Sequence, residues 1–276
     1  MQNTVMTALA TPYLDGKIDT KSLIKLVEHQ QQNNVDVLLA LGTTGEQAFL
    51  SQEEKMQVWQ TVKKVATLPV WVGIDSSITA ECIQKAKFWQ SEGADGLLIS
   101  PPSFVKCTPQ GYYQHIAQIA QSVDIPLMLY NVPSRCGYQL DATALHNIRN
   151  NTTVRWLKDA GNKISYTQMV STNWYTLSGN DSLLTQQMAV GAVGCVSVLS
   201  NAWPNLVRCA MQGNVPLWQK GCKAIYTQVN PIGIKYLLYK MGIFDSYEMR
   251  LPLTKANSLL VKRVDRLIKQ IGKEML

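Results

Sequence analysis

Short apolar runs, each closed by a Gly, a Pro or a small polar residue, recur eight times along this chain of 276 residues, and most are followed by a longer stretch with helical periodicity. The runs place strands near 5–9, 36–41, 70–74, 96–100, 126–130, 154–158, 174–178 and 193–199. Amphipathic helices are expected over 21–33, 52–66, 80–91, 111–122 and 142–150. Ser51 before Gln52-Glu53-Glu54 and Thr79 before Ala80-Glu81 have the composition of helix N-caps with acidic first turns. Eight strands with helices between them specify a (β/α)₈ TIM barrel of the α/β class more readily than an open sheet. Helical patterns near 204–212, 217–229, 232–241 and 254–271 are too much for one closing helix. Residues 1–200 therefore read as the barrel core and 201–276 as a helical C-terminal extension packed on it as one structural unit. An open doubly wound sheet fits less well, because Gly191-Ala192-Val193-Gly194 is a poor dinucleotide fingerprint and comes late in the chain.

The composition narrows the function classes. No apolar run approaches the roughly 18 residues of a membrane span, and the first thirty residues carry Asp15, Asp19 and Glu28 without the pattern of a secretory signal. The six cysteines show no CxxC spacing, and Cys195 and Cys209 lie in apolar stretches where a reduced thiol fills a core, so the compartment reads as cytoplasmic. The formal net charge is +7, with basic residues dispersed. The densest group, Lys262, Arg263, Arg266, Lys269 and Lys273, reads as the solvated face of a late helix and not as a nucleic-acid stripe. His29, His115 and His146 are far apart, which disfavours a metal site.

In a TIM barrel the chemistry sits at the C-terminal ends of the strands. The second strand runs into Gly42-Thr43-Thr44-Gly45-Glu46, the fifth ends at Tyr130 before Asn131-Val132-Pro133-Ser134-Arg135, the sixth ends at Lys158-Asp159, and the seventh runs into Ser178-Gly179-Asn180-Asp181. Taken singly, each has an ordinary reading: a snorkelling lysine, a core tyrosine, a turn of small residues, a surface arginine. Together on one expected rim they describe a site for two carboxylated substrates. A partly desolvated Lys158 keeps some neutral amine to attack a carbonyl. The Gly-Thr-Thr-Gly turn offers a nest of amides to a carboxylate, and Arg135 offers a fork to a second one.

At these residues the chain resembles the dihydrodipicolinate synthase / N-acetylneuraminate lyase family of pyruvate-dependent class I aldolases. The resemblance is carried by Thr-Ala-Leu-Ala-Thr-Pro (7–12), Gly-Thr-Thr-Gly-Glu (42–46), Thr-Ala-Glu (79–81), Gly-Tyr-Tyr-Gln-His (111–115), Tyr-Asn-Val-Pro-Ser-Arg (130–135), Lys-Asp-Ala-Gly-Asn (158–162), Ser-Gly-Asn-Asp (178–181), Asn-Pro-Ile (230–232) and Arg-Leu-Pro-Leu (250–253). It implies that Lys158 forms an imine with pyruvate and that Tyr130 shuttles protons, with Thr43 coupling Tyr130 to a relay. It implies that the amides of Thr43 and Thr44 hold the pyruvate carboxylate, and that Gly179 and the Val196 carbonyl line the pocket. The Val-Pro-Ser-Arg form resembles the synthase branch, in which Arg135 binds the carboxylate of L-aspartate 4-semialdehyde. The implied activity is that condensation, at the entry to diaminopimelate and lysine synthesis, without a cofactor and in a homodimer or homotetramer.

Two departures from the family pattern stand out. A tyrosine expected after the fourth strand, reaching into a neighbouring subunit's site, aligns with Phe104, which cannot carry a proton. Water, Tyr112 or Tyr113 could take its place, or the protein is a weakened or repurposed descendant. The allosteric lysine site of inhibited members aligns with Gln52, Lys55, Ser77, Glu81 and the 102–103 region, with only the glutamate retained, so feedback inhibition is expected to be weak or absent. The rival readings are a sister aldolase for a 2-keto-3-deoxy sugar acid or N-acetylneuraminate, and a non-catalytic ligand-binding descendant.

Overall fold

The computed structural model describes residues 3–213 and 215–271. Eight parallel strands close into a barrel. We number them β1 (Thr4–Ala8), β2 (Val37–Ala40), β3 (Val70–Ile74), β4 (Gly96–Ile99), β5 (Leu127–Asn131), β6 (Trp156–Asp159), β7 (Tyr175–Ser178) and β8 (Gly194–Ser197). The hydrogen-bonded order is β1-β8-β7-β6-β5-β4-β3-β2. The expected strands are all present, with ends displaced by no more than two residues. Where the apolar run ran on to Leu199, β8 stops at Ser197 because Leu199–Asn201 tightens into a 3₁₀ turn.

The chain divides into two compact units, one of Met1–Thr4 with Pro69–Val196, the other of Val5–Leu68 with Ser197–Leu276. The first carries β3 to β8. Its strands are buried along most of their length, as parallel strands covered on both faces must be, and every residue of Val70–Ile74 is buried, hence the continuous Val-Trp-Val-Gly-Ile run. Helices Thr79–Ser91, Pro109–Ala120 and Ala142–Asn151 match their expected spans closely. Two shorter helices, Ile164–Ser171 and Leu184–Ala189, were not anticipated from sequence. Thr79 is not the N-cap: the helix begins on it after Ile78, and its hydroxyl pairs with His115 Nδ1 at 2.9 Å instead of capping the amides.

In the second unit β1 pairs with β2 in the register Met6↔Val37, Thr7↔Leu38, Ala8↔Leu39. A small antiparallel hairpin, Tyr13–Leu14 with Lys17–Ile18, turns through Asp15 and Gly16, both at positive φ, the twist that two-residue hairpins favour. Ser51 forms the expected capping box with Glu54 at the start of helix Gln52–Val65. The C-terminal helices are Pro204–Gln212, Pro216–Ile225, Ile232–Lys240 and Ser258–Ile271. The last begins at Ser258, four residues later than its pattern suggested, because Asn257 accepts the Leu260 amide through its side chain and so caps it. Along that helix Leu260, Val264 and Leu267 are buried while Lys262, Arg263, Arg266 and Lys269 are exposed, the solvated face expected of the basic cluster; Lys273 lies outside the described residues.

The six cysteines are free thiols. Cys195 is buried as expected, but Cys209 is exposed, because it faces away from the apolar stripe of Leu206, Val207, Ala210 and Met211 on its helix. No helix among the described residues is long and apolar enough to cross a membrane.

Candidate active site

β5, β6 and β7 pair in a register that sorts their last residues onto two faces. Tyr130, Lys158 and Leu177 are Cα partners, and so are Asn131, Asp159 and Ser178. Successive side chains on a strand point to opposite faces, so the first row and the second row lie back to back across three strands.

The first row carries the reactive groups. Lys158 and Tyr130 are each 6% exposed, and the Lys158 amine lies over the Tyr130 ring, 4.2 Å from its centroid. A ring face attracts a cation but takes no proton from it. Among the described residues no carboxylate pairs with Lys158. Gly179, just beyond β7, makes the room: a Cβ there would lie 2.8 Å from Lys158 Cε, 2.9 Å from Lys158 Cγ and 2.9 Å from the Ala160 Cβ.

The second row holds the strand ends in place. Asp159 is fully buried, and its Oδ1 accepts from Asn131 Nδ2 (2.8 Å) and the Gly161 amide (3.0 Å). Its Oδ2 accepts from Thr167 Oγ1 (2.6 Å) and Gln187 Nε2 (3.3 Å). Asn131 Oδ1 in turn accepts the Leu140 amide (3.1 Å), and Ser178 donates to Gln187 Oε1. A carboxylate taking several charge-assisted bonds is among the stiffer devices available to a buried site. Asn131, Asp159 and Ser178 lie within the motifs of the sequence, but no local pattern there assigns them this anchoring role. The signal was their place immediately after or beside reactive residues on alternating strands.

Arg135 sits on the short helix Pro133–Cys136 that follows β5, exposed, with no ion pair among the described residues. Val196 is buried in β8.

In the second unit, β2 leads into Leu41 at positive φ and then the Gly42–Glu46 turn, which ends with Glu46 also left-handed. The Glu46 amide closes the turn on the Thr43 carbonyl at 3.1 Å. The Gly45 carbonyl accepts from Thr11 Oγ1 (2.8 Å), and Thr44 Oγ1 accepts from Asn230 Nδ2 (3.0 Å). The Thr43 and Thr44 amides donate to no backbone group among the described residues. Adjacent amides held in such a turn form an anion-binding concavity.

The model of the dihydrodipicolinate synthetase family matches residues 1–271. The chain belongs to that family. A 4-hydroxy-tetrahydrodipicolinate synthase of Rickettsia bellii is 35% identical over 97% of each chain, and one of Aliarcobacter butzleri is 35% identical over 95% of each. A solved structure of chloride-inhibited dihydrodipicolinate synthase from Acinetobacter baumannii, complexed with pyruvate, superposes with a TM-score of 0.90 at 30% identity over the full length of both chains.

Against that family background Phe104 is conspicuous. It is fully exposed and at a φ of 66°, a region bulky side chains rarely occupy, and Val105 beside it is exposed too. Tyr112 is buried, its hydroxyl meets no partner among the described residues, and burial pushes the phenol well above its usual range; Tyr113 is half-buried. The positions aligned with a lysine effector site belong to different units of the chain. Gln52 and Lys55 occupy the first turn of helix Gln52–Val65, while Ser77 and Glu81 stand at the start of helix Thr79–Ser91, where Glu81 accepts from Ser76 Oγ at 2.9 Å.

Proposed function

We propose that this chain is a lyase of the class I aldolase type that condenses pyruvate with L-aspartate 4-semialdehyde, a 4-hydroxy-tetrahydrodipicolinate synthase. The observation that carries the reading is the buried Lys158 amine over the Tyr130 ring, without a carboxylate partner among the described residues, in a family whose relatives bear that name.

In this reading the neutral Lys158 amine adds to C2 of pyruvate. The carbinolamine loses water to give the imine, with Tyr130 delivering the proton that lets hydroxide leave. Loss of a proton from C3 makes the enamine, whose C3 attacks the aldehyde carbon; the developing alkoxide takes a proton back, and the acceptor's own amine then attacks C2, closing the ring and expelling the Lys158 amine. Thr43 joins Tyr130 to the relay, the amides of Thr43 and Thr44 take the pyruvate carboxylate, and Gly179 and the Val196 carbonyl line the space around the imine. Arg135, exposed and uncommitted to an ion pair among the described residues, takes the carboxylate of the semialdehyde. An arginine fork distinguishes this acceptor from a neutral sugar aldehyde.

We read the working enzyme as cytoplasmic and as a homodimer or homotetramer, a reading the family resemblance supports. An exposed Phe104–Val105 pair is apolar surface of the kind a second copy covers. Sedimentation at micromolar protein tests the assembly, a monomer refuting it. Phe104 favours one second reading, a non-catalytic descendant that retains the ligand site.

Borohydride reduction in the presence of pyruvate, read by peptide mass spectrometry with Lys158→Ala as control, separates the two. A pyruvyl adduct on Lys158 and condensation on adding semialdehyde support the synthase. Arg135→Ala should then raise the KM for the semialdehyde while leaving adduct formation unchanged. No adduct, with pyruvate shown to bind, would assign the chain to the second reading.

A further inference from the structure

Beneath the Gly42–Glu46 turn lies a cluster of charges that the reaction does not use. Lys235, on helix Ile232–Lys240, is 0% exposed, and its amine is 2.8 Å from Glu46 Oε1 and 4.1 Å from the centroid of the Tyr13 ring. The Arg250 guanidinium lies 4.4 Å from the same ring. Arg250 also donates to the Phe49 and Gly16 carbonyls and pairs with Glu54. Glu46 Oε2 and the Tyr13 hydroxyl are buried without a hydrogen-bond partner among the described residues.

Such a cluster is a poor way to gain stability. Two ions leave water for one hydrogen bond, and a buried ion pair replaced by apolar groups of similar shape is often no worse. Burial accordingly raises the Glu46 carboxyl above its usual range and lowers the Lys235 ammonium to about 8, each opposed by the other's charge. What the pair does supply is direction. Glu46 is the last residue of the turn that presents the Thr43 and Thr44 amides, and its own amide closes that turn. Five residues before Lys235, Asn230 donates to Thr44 Oγ1. One short segment, 230–235, therefore grips two residues of the turn by side-chain bonds, one on each side of Gly45.

We propose that Lys235 is a positioning residue for the pyruvate carboxylate: acting through Glu46, and together with Asn230, it fixes the Thr43-Thr44 amides at the separation and tilt a carboxylate requires. The inference rests on the reading above, in which that turn holds pyruvate. A binding constellation must be held to within about 0.5 Å by its supporting bonds. The Gly-Thr-Thr-Gly stretch, with two glycines, has no stiffness of its own to do so.

The test is the pyruvate concentration that half-saturates the borohydride-trapped Lys158 adduct, measured beside steady-state kcat, the KM for semialdehyde and the thermal midpoint. Lys235→Met should raise half-saturation by about tenfold, the loss of one charge-assisted bond, with the semialdehyde KM unchanged. Because that variant leaves Glu46 charged and buried, it is paired with the double variant Glu46→Gln/Lys235→Met, which removes both charges and should unfold near the wild-type midpoint. If Lys235 positions the nest, the double variant is stable and still needs roughly tenfold more pyruvate. A stable double variant with wild-type half-saturation overturns the proposal, and so does an equal rise in both substrates' KM values. A wild-type protein that forms no adduct overturns the reading on which the proposal rests, and the proposal with it.

Discussion

Replacing Gly179 by alanine should cripple imine formation without disturbing the fold. The backbone at 179 has no positive φ, so alanine can adopt it, and the consequence is steric alone. The added methyl would stand 2.8 Å from Lys158 Cε, about 0.6 Å inside the 3.4 Å at which ordinary contact begins, and 2.9 Å from both Lys158 Cγ and the Ala160 Cβ. The lysine end could swing away, but its Cγ and Ala160 cannot follow easily, and the Gly179 amide is tied to the Asp159 carbonyl at 2.7 Å. Overpacking of this kind costs about 1–3 kcal/mol, which a barrel of this size tolerates. The displaced amine is the greater loss, since a misplacement of about 1 Å can cost on the order of 10²-fold in rate. The assay is single-turnover trapping of pyruvate on Lys158, with the thermal midpoint as a check on folding. A folded Gly179→Ala protein that traps pyruvate at the wild-type rate and half-saturation would refute the argument that glycine is there to seat the lysine.

Asp159→Asn should lower stability by about 1.5–3 kcal/mol in denaturant titration, because an amide presents N–H where Thr167 and Gln187 now donate to a fully buried oxygen; an unchanged midpoint would show that the network is slack. Burial lowers the imidazoles of His115 and His29 below the usual range, so the unfolded chain takes up protons first as pH falls through about 6.5. Their contribution to stability is complete above that pH and is lost below it. The thermal midpoint should decline on acidification from pH 6.5 to 5, and His115→Gln should flatten part of that slope. Free lysine at sub-millimolar concentration should leave the condensation rate unchanged, since the Lys55 cation would repel its ammonium group; half-inhibition in that range contradicts the expectation.

Much of this was legible in the linear chain, for reasons that differ from residue to residue. The strand Val70–Ile74 could be read because a strand covered on both faces is apolar throughout. Ser51 could be read because a capping box is a contract between residues three apart. Thr79 misled because its hydroxyl found a partner 36 residues away in His115, a competition no local pattern announces. The hairpin Tyr13–Ile18 escaped because two-residue strands carry no periodicity, and helices Ile164–Ser171 and Leu184–Ala189 escaped because they are too short to show an amphipathic stripe. Lys158, Tyr130 and Arg135 stood out by chemistry at strand ends. The Glu46–Lys235 pair, 189 residues apart, did not, since nothing in either neighbourhood names the other.

The back-to-back rows on β5, β6 and β7 leave Arg135 in neither of them. It stands past the end of β5 on a turn of helix with no ion pair among the described residues, whereas Lys158 is enclosed by Tyr130 and Gly179 and its strand is anchored through Asp159. No hydrogen bond or ion pair among the described residues ties the Arg135 side chain to either row, so the effects of substitutions at 135 and within the rows on stability should add. A lineage of such chains can therefore exchange the aldehyde it accepts by altering one loop, while the step that captures the keto acid is inherited intact.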